Sequence, residues 1–435
     1  MNEFKKSKIK YIARLLNGDR GENYPSGNDF VDNGIPFINT FDLLNTYIDI
    51  TNANRITDDR YKRLRGLKLQ KNDIVYCLRG SVGKNSIYVN EKGTVASSLM
   101  AIRCSKMNYK YLYYLLNSSC GDFNKNYFMT GSVSSNLSSE DVGNYSIFLP
   151  QKNKQILIAH YLDRKISELD SLIFFKEKQI KLLEEQRQAM ITEAVTKGLN
   201  PNVKMKNSGV EWIGEIPEHW KLTKIKYTTY VKGRIGWQGL RSDEFIDEGP
   251  SLVTGTDFKN GRIDWQTCYH VSEERYNEAV PIQLKEDDLL ITKDGTIGKL
   301  ALVKEMPERA ILNSGIFVTR PLMDQYINNY LYWNLTSASF SQYIRTMETG
   351  STIKHLYQET FVNYSYALPP KDEQESISYY LNNETQKLET IKQSMLNQIS
   401  KLKEYRQSLI HEAVTGKISI EEMESYLTED ENDGN

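Results

Sequence analysis

The chain has 435 residues, 39% hydrophobic and 26% charged, with a formal net charge of −1, a composition that excludes a disordered chain and leaves room for two or more domains. No run of about 18 apolar residues exists and the basic N-terminus MNEFKKSKIKYIARLL lacks an apolar signal core, so neither a membrane span nor a secretory leader is predicted and a cytoplasmic location is expected. Cys77, Cys104, Cys120 and Cys268 stand singly, which excludes a C-x-x-C zinc site and a disulfide framework.

The near-zero charge hides an uneven distribution. Residues 1–150 hold 20 Lys and Arg against 14 Asp and Glu, a net of +6, whereas 220–369 hold 17 against 18, and residues 421–435 carry seven acids and no base. Charge therefore permits nucleic-acid binding without demanding it.

In chain order, the first segment runs FKKSKIKYIARLLNGDRGENYP, and WKLTKIKYTTYVKGRIGWQG at 220–239 is its counterpart; each predicts a short strand entering a glycine-containing loop. NDFVDNGIPFINTFDL (28–43) then matches DEFIDEGPSLVTGTDF (243–258). LQKNDIVYCLRGSVGKNSIYV (69–89) matches LKEDDLLITKDGTIGKLALV (284–303), predicting alternating strands around a Gly-x-x-Gly-Lys turn. A Tyr-rich helix follows in each half, at 108–119 and 328–347, then a small polar loop (130–141 and 349–360) and an apolar strand ending in Leu149-Pro150 or Leu368-Pro369.

Two long helices come next. From Leu162, alternating steps of four and three place Leu162, Ile166, Leu169, Ile173, Ile180, Leu183, Met190 and Ala194 on one stripe, with Lys176 and Arg187 interrupting it. The same phase 219 residues later holds Leu381, Leu388, Met395, Ile399, Leu402, Leu409 and Ala413, with Arg406 where Arg187 stands. Such a narrow stripe is a coiled-coil seam. Arg187 and Arg406 either extend to solvent over apolar neighbours or fix the register of the pair. Asn153 is expected to cap the first helix and an Asp372–Glu375 box the second, while Gly198 and Gly416 end them. Residues 199–219 lack periodicity and are expected to be a linker; 418–435 are expected to be an acidic, disordered tail. The spacing of the copies rises from 215 to 219, which predicts one insertion between about Lys299 and Tyr330.

The Gly-x-x-Gly-Lys turns have the wrong spacing for a phosphate loop of NTP hydrolysis. Their glycines suit hairpin turns at positive φ, and the same loops offer Arg79, Ser81 and Lys84, or Lys293, Thr296 and Lys299, to DNA phosphates. Ser132, Ser134 and Asn136 in one polar loop, and Ser351, Thr352, Lys354 and His355 in the other, are either solvated turn residues or contacts to phosphates and base edges. Arg20, Asn23 and Tyr24, against Arg234, Trp237, Gln238 and Arg241, form a loop that diverges between otherwise similar halves, as two different base readers require. Catalytic patterns are missing. Asp73 and Asp288 match but no acidic-x-Lys follows, Asp/Asn-Pro-Pro-Tyr does not occur, and the five histidines show no ligand spacing.

The order of these parts resembles the specificity subunits of type I restriction-modification systems. The resemblance is carried by Leu368-Pro-Pro-Lys-Asp-Glu-Gln374, the paired Glu-Ala-Val-Thr helix ends at 193–196 and 412–415, Gly214-Glu-Ile-Pro-Glu-His-Trp220 and both Gly-x-x-Gly-Lys turns, and it covers residues 1 to about 418. The first half departs from it, lacking the Trp approach and reading Pro150-Gln-Lys-Asn-Lys-Gln155.

The resemblance implies an α+β fold: two similar target recognition domains, each a mixed β-sheet with small helices, separated and connected by two long helices that form an antiparallel intramolecular coiled coil. The expected divisions are 1–150 and 220–369 for the recognition domains, 151–198 and 370–417 for the helices. It also implies a non-catalytic chain that reads double-stranded DNA and docks two DNA methyltransferase (modification) subunits, with restriction subunits as a further partner. No cofactor is expected on this chain; S-adenosylmethionine belongs to the modification partner, ATP and magnesium to the restriction partner. A helix of ~40 residues spans roughly 60 Å, under two turns of B-DNA at ~34–36 Å each, so a split target with an unread middle is expected. Two other readings compete. The recognition part of a fused or split restriction and methylation enzyme is discriminated by methyltransferase motifs, which are absent, and a structural coiled-coil scaffold would have no use for two diverged, Tyr- and Gly-rich globular halves.

Overall fold

The computed structural model describes residues 5–129, 136–233, 240, 244–348 and 355–433. Its contacts divide the chain into two units, Met1–Lys176 with Leu396–Asn435, and Glu177–Met395. The boundary cuts through both long helices, Lys152–Lys197 and Lys371–Thr415, instead of falling at their ends. The physical reason is that each globular part buries its apolar surface against half of one helix and half of the other.

In the first unit an antiparallel sheet has the order Ala13–Asn17, Leu99–Cys104, Ile74–Cys77, Asn85–Ile87. Ile74–Cys77 is buried throughout because both faces of the sheet are covered. Ile74, Tyr76, Met100 and Ile102 face the Tyr-rich helix and the long helices, while Val75, Cys77, Leu99 and Ala101 face a second core around Ile38, Leu43 and Val95. That alternation is the period of two expected of strands. The second unit repeats it: Leu289 and Ile291 enter one core, Leu290, Ile316 and Val318 the other. Its larger sheet runs Thr229–Gly233, Ile316–Pro321, Leu289–Thr292, Leu300–Leu302, Arg262–Ile263, Phe258–Lys259. A smaller mixed sheet in each unit contains an irregular strand, and Gly34 sits at that irregularity because a Cβ there would lie 2.3 Å from the Ile56 carbonyl oxygen.

Three polar devices recur in both units. Asp73 is buried and receives a two-pronged pair from Arg103, at 2.8 and 2.7 Å; Asp288 receives the same from Arg320, at 2.7 and 2.6 Å. These carboxylates therefore have a structural partner, and the hydrogen bonds they accept hold the Arg103 and Arg320 pKa values above the ordinary value. Gln155 donates to the Pro150 carbonyl (2.7 Å) and accepts from the Asn108 amide (2.9 Å), while Gln374 does the same with Pro369 (2.9 Å) and Ile327 (3.0 Å). This buried amide locks the first turn of each long helix to the start of the Tyr-rich helix. Finally, the Tyr111 hydroxyl shares its proton between the Phe148 and Val414 carbonyls, at 3.1 and 3.2 Å, and Tyr330 does so between Ala367 and Val195, at 2.8 and 3.3 Å. The near-identical Glu-Ala-Val-Thr ends are thereby explained, since Ala194, Val195, Ala413 and Val414 are buried beneath those tyrosines.

Within each unit the two helix halves pack antiparallel. In the first unit Asp170 pairs with Arg406 at 3.0 Å and Lys176 with Gln398 at 2.6 Å; in the second Glu184 pairs with Lys392. Of the seam residues, Leu162, Ile166, Leu169, Ile173, Ile399 and Leu409 are buried, whereas Ile180, Leu183, Leu388, Met395 and Leu402 are half-buried. The two arginines differ. Arg406 makes the cross-helix pair just described, while Arg187 lies 4.0 Å from Glu184 of its own helix.

Several expectations are corrected. The helices begin at Lys152 and Lys371, so Asn153 and Asp372 lie inside the first turn and not at the capping position. Residues 199–219 are not a plain linker, because Met205–Asn207 pairs with Glu215–Pro217 and Ile213, Ile216 and Trp220 are buried in the second unit's core. The acidic end is not disordered: Ile420–Asp433 is a helix whose Met423 and Leu427 are buried in the first unit's core, and apolar contact outweighs the charge of its solvent face. The single insertion resolves into two. The spacing is 215 at Ile87 and Leu302, 217 at Thr94 and Ile311, and 219 at Asn108 and Ile327, which lengthens two separate loops by two residues each.

Replacing Asp73 or Asp288 by alanine leaves a half-buried guanidinium without its carboxylate, and either change is expected to cost about 3 kcal/mol. Thermal melts of Asp73→Ala and Asp288→Ala check this; melting temperatures within a degree of the parent would show that the pairs are dispensable.

Candidate nucleic-acid interface

Because neighbouring strands of the larger sheet run in opposite directions, loops far apart in sequence leave from the same end. In the first unit that end receives the loops after Asn17, after Cys77 and before Leu99. Backbone bonds tie them together: the Gly18 amide to the Leu99 carbonyl (3.2 Å), Leu78 to Ser98 (2.9 Å) and Leu137 to Leu78 (3.0 Å). The three loops singled out in the sequence, at 20–24, 79–84 and around Asn136, therefore gather at one place. The second unit repeats the arrangement, with Lys293 bonded to Gly315 (2.8 Å) and Leu356 to Lys293 (2.7 Å), at the end where Thr229–Gly233 also finishes.

Individual residues divide into those that project and those that do not. Arg79, Ser81, Asn136 and Thr296 are exposed. Arg20 is exposed with one guanidinium nitrogen 3.3 Å from the Ser97 carbonyl. Asn23 is half-buried, and Tyr24 packs its ring edge-on against Phe37, 5.8 Å between centroids, so it serves a small core and does not stand free. Lys84 and Lys299, expected to reach toward phosphates, are half-buried and turn inward to the Thr40 and Gly255 carbonyls, at 3.3 and 3.1 Å. They brace the loop that carries their exposed neighbours. Lys293 lies 5.2 Å over the Phe317 ring, and His355 is 2.5 Å from the Asp294 carboxylate. Ser132, Ser134, Arg234, Trp237, Gln238, Arg241, Ser351, Thr352 and Lys354 lie outside the described residues.

Sequence reasoning missed two cations. Arg65 is exposed beside Arg20, because the Asp19 carboxylate accepts the Arg65 and Gly66 amides at 2.8 and 3.1 Å and so fastens 19–20 to 65–66. Burial raises the Asp19 pKa, but the amides of Gly66, Arg65 and Arg20 outweigh it and hold the carboxyl below its ordinary value. Lys125 lies across Gly83, where a Cβ would come within 2.7 Å of its side chain, and it pairs with Asp122 at 2.6 Å. Neither cation belongs to a motif; only the fold brings them in. The first unit's loop end thus presents Arg20, Arg65, Arg79 and Lys125, while the described part of the second presents Lys293 and a His–Asp pair, in line with their net charges.

Guanidinium groups of this kind suit guanine edges and phosphates alike. Among the described residues, no group of three or more His, Cys, Asp or Glu is arranged to hold a metal ion, and no helix is long and apolar enough to cross a membrane.

Comparison with known proteins agrees with this geometry. Residues 1–183 and 240–401 match the family described as the type I restriction modification DNA specificity domain. The MjaVIII specificity subunit of a type I restriction enzyme from Methanocaldococcus jannaschii is 25% identical over 329 residues, 74% of each chain. The EcoBI specificity subunit from Escherichia coli is 25% identical over 209 residues, 46% of this chain and 43% of that one. Among solved structures, one describing complex assembly and conformational transition of the type I R-M system has a TM-score of 0.73 at 14% identity, over 96% of this chain and 99% of that one. The HsdS subunit from Thermoanaerobacter tengcongensis has a TM-score of 0.52 at 15% identity, over 96% and 98%. These two show the shared fold. With the family match covering both globular halves, the chain belongs to the type I restriction-modification DNA specificity family and is a non-catalytic specificity subunit with two DNA-recognition domains.

Proposed function

We propose that each unit reads one half of a bipartite DNA target through the loops at the end of its larger sheet, and that the two long helices set the unread gap and dock two methyltransferase subunits. The observation that carries this is that, among the described residues, the strand ends at Asn17 and Gly233, the two Gly-x-x-Gly-Lys turns and the segments at Leu137 and Leu356 meet at the same sheet end in both units, with different side chains such as Arg79 and Asp294 on a shared frame. S-adenosylmethionine is assigned to the methyltransferase subunits, ATP and magnesium to restriction subunits where the system cleaves, and no cofactor to this chain. The assembly works in the cytoplasm, where its DNA is.

Support for docking on the helices comes from their surfaces. Phe174 and Phe175 are 61% and 59% exposed on the first helix and Tyr379 is 72% exposed on the second, more apolar surface than a solvated helix pair needs. A net charge of −1 adds that the isolated chain has little electrostatic attraction for DNA. Partner subunits are needed to complete a basic channel.

Methylome sequencing of cells expressing this chain with its modification partner is expected to show one split motif; uniform or unsplit methylation would refute the proposal. Arg79→Ala should relax one half of that motif and leave the other intact, at a cost of about 1–3 kcal/mol in discrimination. Removing a matched heptad from both helices shortens each by ~10 Å and is expected to shorten the unread gap by about three base pairs. An unchanged gap would remove the helices from the role of ruler.

A further inference from the structure

The C-terminal helix Ile420–Asp433 lies on the first unit's helix pair in a specific way. Met423 is 0% exposed, and Tyr426 stacks edge-on against Tyr161, 5.4 Å between centroids. Lys165 Nζ sits 3.5 Å over the Tyr426 ring, and the Tyr426 hydroxyl donates to Glu168. Leu427 completes a stripe at 423, 426 and 427, the i, i+3, i+4 pattern of one helix laid on others.

The internal repeat shows what this face is like uncovered. Shifted by 219 residues, Tyr161, Lys165 and Glu168 become Tyr380, Glu384 and Lys387 of the second helix, and Leu409 corresponds to Met190 of the first. In the second unit no helix lies there among the described residues, because the chain after Gly198 turns away into its hairpin. Two grooves of ≈ 700 and ≈ 780 Å³ meet at Leu199 and Tyr380; the first is lined by Tyr379, Glu384 and Lys387, the second by Met190. Tyr379 and Tyr380 are exposed, at 72% and 38%. The pair Glu384–Lys387, 2.7 Å apart, is oriented opposite to Lys165 and Glu168 and offers a charge of each sign to an incoming chain.

We infer that these are two versions of one docking face, that its external occupant is an amphipathic helix of a methyltransferase subunit, and that the C-terminal helix is an intrachain occupant that closes the first of the two. This rests on the proposed docking of methyltransferase subunits on the long helices and adds a regulation to it. The chain would load one methyltransferase subunit readily at the open Tyr379–Tyr380 face. It would load the second only after the C-terminal helix is displaced, so half-loaded complexes accumulate at limiting partner. The binding-competent fraction of the covered face sets its apparent affinity.

The test titrates purified methyltransferase subunit into the full chain, a chain ending at Ser419, and the Met423→Ala/Leu427→Ala double variant, with stoichiometry read by native mass spectrometry. The expected result is one tight and one weak equivalent for the full chain, and a second equivalent strengthened about tenfold or more by truncation. The double variant should fall between, and a free peptide of residues 420–433 should restore the weak second event. The double variant and peptide keep the test decisive if truncation disturbs folding. Two equal equivalents in the full chain, unaffected by truncation, would overturn the inference, as would loss of the second equivalent on truncation. Tyr380→Glu separates the two layers. If it abolishes the tight event while truncation changes nothing, only the latch is wrong; if neither change has an effect, docking on these faces is wrong as well.

Discussion

One tyrosine hydroxyl in each unit holds three parts of the chain together. Tyr111 bridges the strand that closes its globular part and the end of a helix some 300 residues on; Tyr330 does the same with Ala367 and Val195. A buried hydroxyl without partners is costly, so the Tyr-rich helix, the closing strand and the helix end must arrive in register together. Burial pushes both phenols upward, so they remain neutral donors throughout the ordinary pH range. Everything that distinguishes the halves is built outside this frame.

The frame explains why loops can diverge without loss of fold. The Asp–Arg pairs, the glutamine locks and the inward-turned Lys84 and Lys299 are the same in both units, and each satisfies backbone or charge that would otherwise be buried unpaired. Residues beyond them, such as Arg79 against Asp294, carry no such duty. In this chain Lys84 and Lys299 hold the loops, and the exposed residues beside them, such as Arg79, are not tied to that task.

Much of this was legible in the sequence because the chain is written twice. Repetition marked the strands, the Gly-x-x-Gly-Lys turns, the helix seam and the matched helix ends, and their order carried the family. What escaped has physical reasons. Lysine after a double-glycine turn looks like a phosphate contact until the neighbouring carbonyl of Thr40 is known. Arg65 and Lys125 reach the loop end only through tertiary packing. The Ile420, Met423, Tyr426, Leu427 spacing was present, yet seven acids and no base in the last 15 residues suggested solvation. Composition there masked a periodicity that folding obeys. Residues 199–219 hid a hairpin because its strands are only three residues long.

The seam of the long helices is unevenly sealed. Leu162 to Ile173 and Ile191 to Val195 are buried beneath their globular parts, whereas Ile180, Leu183, Leu388 and Met395 are only half-covered, with Phe174, Phe175, Leu182 and Ile391 open to water. Local opening costs least where the fewest apolar contacts are broken. Amide hydrogens near 177–186 and 386–396 should accordingly exchange faster in the free chain than those of the buried ends of the same helices, so each long helix is softest in the middle and firm where a globular part grips it.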